Sequence, residues 1–179
     1  MWANNETGVI FPVREIADMV KIRGALLHCD AVQAAGKLPT DLRTVNVDLL
    51  SISGHKLHAP KCIGVLYIRK GTSFSPLMLG GHQEKGRRAG TENVPYIVGL
   101  GKACELALEQ MEDEQTRVKS LRDRLEQELL EKALDTSVNG DPTNRLPNTT
   151  SISVKYIEGE ASLLMLSAEG IAASSGSAC

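Results

Sequence analysis

Two short apolar runs, each stopped abruptly by a polar cluster, constrain this chain more than any other feature. Ala25-Leu26-Leu27-His28-Cys29 stops at Asp30, and Leu49-Leu50-Ser51-Ile52 stops at Ser53-Gly54-His55-Lys56. Apolar runs this short, bounded by turn residues, read as buried strands. A helical pattern precedes the first run. Phe11-Pro12 opens it, Ile16, Met19, Val20 and Arg23 carry it, and Gly24 ends it, with proline and glycine where a helix start and stop favour them. Ile63-Gly64-Val65-Leu66-Tyr67-Ile68 alternates and is rich in branched residues, a third strand. Strands separated by helical segments give a largely parallel α/β sheet. Such a sheet holds its ligand beyond the carboxyl ends of its strands, where Asp30 and Lys56 stand.

Further along, residues 80–91 form a long glycine-rich loop containing Lys85, Arg87 and Arg88, the only dense basic cluster. From Pro95 to Leu134 the pattern is helical, with Val118, Leu121, Leu125 and Leu129 on one face and charged residues opposite. Gly99 and Gly101 weaken the first turns of that stretch, which predicts a bend or two helices rather than one straight rod. Asn139-Gly140-Asp141-Pro142 is a turn, residues 149–154 alternate as a strand, and Glu160 to Ala168 reads as a helix. The change near residue 136 marks a boundary. Residues 1–105 are expected to belong to a large α/β domain, 95–135 to a long connecting helix or helices, and 136–179 to the start of a smaller α+β domain. Loop-like Asn4-Asn5-Glu6-Thr7-Gly8 at one end and a cysteine loop at the other make the chain read as an internal fragment of a longer protein.

Composition removes several classes. Lys and Arg total 20 against 22 Asp and Glu, a net charge of −2, which gives no support for a nucleic-acid or membrane surface. With aromatics at 3% and apolar residues at 42%, aliphatic side chains must build the core. No apolar stretch reaches membrane-spanning length and no secretory signal opens the chain, so a cytoplasmic protein is the default. Cys29, Cys62, Cys104 and Cys179 include no C-x-x-C pair, so neither a zinc knuckle nor a disulfide framework is signalled. The first three read as small buried hydrophobes, whereas Cys179 sits among small polar residues.

A lysine near a strand end is ordinarily a solvated surface group, and an aspartate there is ordinarily a cap or turn residue. Together they are the two groups a pyridoxal phosphate (PLP) site needs most, an amine for a Schiff base and a carboxylate for the pyridinium nitrogen. Ser53 and His55 add two hydrogen-bond donors suited to a phosphate. Gln33 can donate to a phenolic oxygen, and Asn5 can do similar work, although an Asn-Asn pair before Gly8 is more often only a turn.

Five segments sharpen the picture. Asn4-Asn5-Glu6-Thr7-Gly8, His28-Cys29-Asp30-Ala31-Val32-Gln33, Ser53-Gly54-His55-Lys56, Arg87-Arg88-Ala89-Gly90-Thr91-Glu92-Asn93 and Ser174-Ser175-Gly176-Ser177-Ala178-Cys179 occur in that order. The combination resembles the PLP-dependent cysteine desulfurases of the class-V aminotransferase family, and the 81–91 loop is most similar to the nitrogen-fixation type. The resemblance runs from end to end. It implies part of the large, mainly parallel-sheet domain of a fold-type I PLP enzyme, plus the start of the small domain.

By that resemblance Lys56 carries the cofactor as a Schiff base, Asp30 pairs with the pyridinium nitrogen, and Gln33 contacts the phenolic oxygen. Asn5 contacts the cofactor or the substrate carboxylate. Ser53 and His55 hold the phosphate, helped by Thr91 from the second subunit of a homodimer. Cys179 takes sulfur from L-cysteine as a persulfide, leaving L-alanine. The sulfur then supplies iron–sulfur or nitrogenase clusters through a scaffold or other acceptor protein, with Cys179 as a transient iron–sulfur ligand shared with the scaffold. The family pattern also includes a stacking histidine and a phosphate loop before residue 1, and a carboxylate-clamping arginine beyond residue 179, so the isolated segment is expected to be inactive. A selenocysteine lyase, a small aminotransferase or an inert partner-binding segment are the competing readings. The first two need no nucleophilic cysteine, so Ala178-Cys179 argues against them.

Overall fold

A computed structural model describes residues 1–176, and Ser177, Ala178 and Cys179 lie outside the described residues. The chain divides into two compact units, one built from Met1–Trp2 and Phe11–Glu112, the other from Ala3–Ile10 and the residues from Asp113 onward.

In the first unit, α1 spans Val13–Ile22, with Glu15 in its first turn and Lys21 in its last, the charge order that suits the helix dipole. Gly24, at φ +66°, ends it by donating its N–H to the Lys21 carbonyl. The helix stands where the sequence puts it, but its buried residues are Val13 and Ala17, one turn apart. Ile16 and Met19, which carry the apolar pattern, are exposed.

Strands β1 (His28–Asp30), β2 (Leu49–Ser53) and β3 (Gly64–Ile68) form one sheet in that order. β1 and β2 are parallel, with Asp30 opposite Ser51. β3 runs antiparallel to β2, so within this chain the sheet is mixed. The reason is the connection. Between Ser53 and Gly64 there is only a one-turn 3-10 helix, Gly54–Leu57, and a short loop, too little for the crossover that a parallel pair requires. Parallel β2 follows a longer excursion, which Arg69 braces. Its guanidinium donates to the carbonyls of Leu42, Val45 and Val47 at 2.7–3.0 Å, satisfying half-buried groups that no strand partner reaches.

Beyond β3, the segment 80–91 is the loop the glycines predict. It contains only the four-residue turn α2 (Gln83–Gly86), inside which Glu84 and Lys85 adopt left-handed φ of 50° and 57°. α3 (Val94–Glu109) follows, with Asn93 capping Tyr96 and Pro95 in the first turn. It does not bend at Gly99 or Gly101. A Cβ on Gly99 would sit 3.2 Å from Pro60 Cδ, so this glycine permits close approach of the helix rather than bending it. The break comes later, at Gln110, followed by α4 (Met111–Asp113) and a π-turn over Glu114–Val118. Leu100 and Ala103 of α3 pack with Ala35 and Leu57, flanked by Ile52, Ala59, Ile63 and Ala107. As the composition requires, this core is aliphatic and rich in alanine.

In the second unit, α5 (Lys119–Lys132) leads to the antiparallel pair β4 (Thr136–Val138) and β5 (Ile152–Val154), then α6 (Gly159–Ala168). The leucine stripe of α5 is not its inner face. Leu121 and Leu125 are each 53% exposed and Leu129 39%, whereas Arg122 is buried. The cause is what the helix faces. Segment 145–150 presents the carbonyls of Leu146 and Thr149, to which Arg122 donates at 3.2 and 2.9 Å, and the guanidinium of Arg145, which Glu126 receives. Carbonyls and a guanidinium need polar partners, not leucines.

The Arg69 brace yields a direct expectation. Arg69→Met should lower unfolding stability by about 2–4 kcal/mol, because three half-buried carbonyls lose a charged donor. Lys70→Met, at an exposed neighbour, should stay within about 0.5 kcal/mol of the parent. Equal denaturation midpoints for the two variants would contradict the bracing role.

Candidate functional site

The carboxyl ends of the two parallel strands carry the polar groups together. Asp30 is the last residue of β1 rather than the first beyond it. Its carbonyl accepts from Trp2 N at 2.7 Å, and its carboxylate Oδ1 accepts from Val32 N at 2.8 Å. The carboxylate is thereby oriented by the turn that follows it, where Ala31, Ala34 and Ala35 are buried. Gln33 lies half-buried in that same turn.

On β2, Ser53 is extended and the chain then tightens into the 3-10 turn. Gly54 is held on both sides. Its N–H donates to the Ile63 carbonyl at 2.9 Å, and its own carbonyl accepts from Ala59 N at 3.0 Å and from the His58 N–H. A Cβ at Gly54 would stand 2.7 Å from Ile63 Cγ2 and 2.9 Å from Ile63 O, so no other residue fits without displacement. Leu57 anchors the far end of the turn in the α3 core. Lys56, half-buried, is thus set between a pinned glycine and a buried leucine. Ser53 Oγ and His55 Nδ1 lie 2.7 Å apart. With the serine hydroxyl donating to Nδ1, His55 keeps Nε2–H as an outward donor.

One face of the sheet carries polar groups at the β1–β2 pairing, beside Leu49, Leu66 and Ile68. His28 Nε2 lies 2.7 Å from Ser51 Oγ, and Asp30 is in register with Ser51, while Cys29 and Leu50 are buried on the opposite side. The His28–Ser51 pair escaped the sequence reading. Its signal was there, in H-x-D and S-x-S on adjacent strands.

Asn5 belongs to the second unit. Asn4, not Asn5, builds the turn: its Oδ1 accepts from Glu6 N, Thr7 N and Thr7 Oγ1 at 2.8–3.0 Å. Asn5 is the half-buried residue at the next position. Gly8 closes the turn at φ +76°, where a Cβ would meet Thr149 Cβ at 2.9 Å.

Thr91 is exposed in the connection before α3, as are Lys85, Arg87 and Arg88. Among the described residues no hydrogen bond joins Thr91 to the Lys56 turn. Cys179 lies outside the described residues. Of the other thiols only Cys29 is buried as expected, and burial pushes its thiol pKa up. Cys62 and Cys104 are exposed; Cys62 occupies a left-handed position in the loop before β3, and Cys104 lies on α3 next to buried Ala103. Among the described residues no group of three or more His, Cys, Asp or Glu is placed to hold a metal ion.

The family model described as Aminotransferase class-V matches residues 1–179. The chain is 64% identical over its whole length to a cysteine desulfurase of Trichormus azollae, covering 45% of that protein. It is 59% identical to the cysteine desulfurase NifS of Azotobacter vinelandii, covering 44%. Among solved structures, a NifS-like protein superimposes with a TM-score of 0.90 at 42% identity, over 98% of this chain and 48% of that one. DndA from Streptomyces lividans does so with a TM-score of 0.82 at 38% identity, over 94% and 48%. The chain thus spans slightly less than half the length of these relatives.

Two glycine substitutions of opposite sign test the geometry of the turn. Gly54→Ala should destabilise by about 1–3 kcal/mol, the usual cost of overpacking against backbone. Gly101→Ala, with nothing within 4 Å of the added Cβ, should stabilise α3 by up to about 1 kcal/mol. Denaturant titration of both variants reads the signs, and a neutral Gly54→Ala would show that the turn is not closed as described.

Proposed function

The chain belongs to the class-V aminotransferase family, and on that premise we propose that it carries part of the active site of a PLP-dependent cysteine desulfurase of the nitrogen-fixation type. The observation that supports this most is the convergence of Asp30 with Ser53, His55 and Lys56 at the carboxyl ends of two parallel strands. The donor set fits the cofactor. Asp30 offers a carboxylate already oriented by Val32 N, Ser53 and His55 offer a hydroxyl and an imidazole linked to each other, and Lys56 offers a primary amine on a pinned turn. Gln33 completes the set with a carboxamide for the phenolic oxygen; Asn5, in the second unit, is assigned a contact with the cofactor or the substrate carboxylate by the family resemblance.

Bound there, the cofactor supplies an electron sink for the Cα–H bond of L-cysteine. The chain's residues do the rest. The amine of Lys56 would take the Cα proton as a base. The Cys179 thiolate attacks the substrate sulfur. A sulfur–sulfur bond forms, the carbon–sulfur bond breaks with its electron pair left on carbon, and the carbon skeleton gains a proton at Cβ and regains one at Cα from Lys56. L-Cysteine and the Cys179 thiol thus become L-alanine and a Cys179 persulfide. The persulfide is then passed to an iron–sulfur scaffold or other acceptor, to which Cys179 also offers a transient iron–sulfur ligand.

The proposal extends to assembly. Leu77, Met78 and Leu79 are exposed, as are Val94, Ile97 and Val98 at the start of α3. Exposed apolar residues in such number mark an interaction surface, which supports a homodimer with Thr91 contributing to the partner's phosphate site. Residues 1–105 are assigned to the large PLP-binding domain, 95–135 to the connecting helices and 136–179 to the start of the small domain. A cytoplasmic location belongs to the same reading, because a persulfide-forming thiol must stay reduced. No helix of the described residues is long and apolar enough to cross a membrane.

In the full-length protein, Cys179→Ala should leave cofactor absorbance and its response to L-cysteine intact while lowering sulfide release at least a hundredfold, roughly the loss expected when a nucleophile is removed. Sulfide at the parent rate from the alanine variant would refute the role of Cys179.

A further inference from the structure

α5 buries charge and exposes leucine, and the buried charge is spent on one segment. Arg122 and Glu126 are one helical turn apart. Arg122 donates to the carbonyls of Leu146 and Thr149, and the Glu126 carboxylate receives both the Arg145 guanidinium and the Thr150 hydroxyl. Arg145 is almost wholly buried, its side chain 2% exposed, and Glu126 is 13% exposed. Arg145 Nε and Nη1 have no partner among the described residues, so the guanidinium depends on Glu126. The ion pair keeps the Glu126 carboxyl below the usual carboxylate range, chiefly through the Arg145 hydrogen bond.

Segment 144–149, fixed in this way, is the surface on which the Asn5 turn rests. Leu146 N donates to the Gly8 carbonyl at 2.8 Å, and Ile10 N donates to the Asn144 carbonyl at 2.9 Å. Asn144 Nδ2 returns a bond to the Ile10 carbonyl at 3.0 Å, Val9 bridges Arg145, and Gly8 is in close contact with Thr149. A buried ion pair is a poor source of net stability, since apolar residues of similar size often do as well or better, but it can fix a register that apolar packing leaves loose. We propose that Arg145, held by Glu126, is a positioning residue for Asn5. The inference rests on the proposed contact of Asn5 with cofactor or substrate, and it adds to that reading a device that sets the aim of the turn.

The decisive variant replaces the pair by apolar residues of similar volume, Glu126→Leu with Arg145→Met, in the full-length holoenzyme. Thermal stability should be at least that of the parent. KM for L-cysteine should rise roughly tenfold with kcat and resting visible absorbance retained, as for loss of a uniform binding contact. Amide exchange at Gly8 and Leu146 should accelerate, and that of the His28–Asp30 strand should not. Adding Asn5→Ala should raise KM no further, because both changes remove one interaction. A parent KM in the paired variant, or KM effects that multiply with Asn5→Ala, would overturn the proposal. If Asn5→Ala alone leaves KM unchanged, the reading of Asn5 fails. Unchanged exchange at Gly8 and Leu146 defeats the positioning role whatever Asn5 does. Should the paired variant not fold, Glu126→Gln carries the same readouts.

Discussion

Closure of the 3-10 turn after β2 is the constraint on which the candidate site depends. Three backbone hydrogen bonds converge on Gly54, and Leu57 locks the turn's far end beneath α3. Between those anchors the backbone of Lys56 has little freedom. A reactive amine needs this arrangement, because a lysine side chain loses substantial rotamer entropy when it is fixed, and a rigid backbone confines that loss to the side chain. The same closure sets Ser53 and His55 in hydrogen-bond contact, so the pair proposed to hold the phosphate and the amine share one short stretch of chain.

The second unit solves a different problem by a different means. Its central helix meets a segment full of backbone carbonyls, and it meets them with Arg122 and Glu126 rather than with leucine. Buried charges are costly unless paired, and here the pairing is directional. The segment so held carries the Asn4–Gly8 turn, which the Asn4 side chain braces and Gly8 closes. Each unit therefore has its own local logic, an aliphatic core under a pinned turn in the first and a polar clamp in the second.

Much of the first unit was legible because its signals are local. Apolar runs, a Pro-to-Gly helix and a polar cluster after each strand need no tertiary information, and they located Asp30, Ser53, His55 and Lys56 at the sheet's carboxyl edge. The direction of β3 was not legible from its own residues, since alternation looks alike in parallel and antiparallel strands. The length of its connection held that information. Gly99 illustrates a second limit. A glycine in a helix reads as a weak point, yet here it is a contact surface for Pro60, and only the neighbour reveals that. The leucine stripe of α5 misled for the same reason. Periodicity finds an apolar face, but which face turns inward depended on the carbonyls of Leu146 and Thr149, 24 and 27 residues from Arg122. β4 is three residues long and, unlike β5, lies in no longer alternating run that could mark it.

The central claim is that Lys56 is the residue to which the cofactor is attached. Borohydride reduction of the PLP-loaded full-length protein fixes the cofactor to its lysine by a stable secondary amine, and peptide mass mapping then locates it. The account predicts the pyridoxyl group on the peptide containing Ser53-Gly54-His55-Lys56. Modification of Lys37 or Lys61 instead, with Lys56 unlabelled, would contradict it.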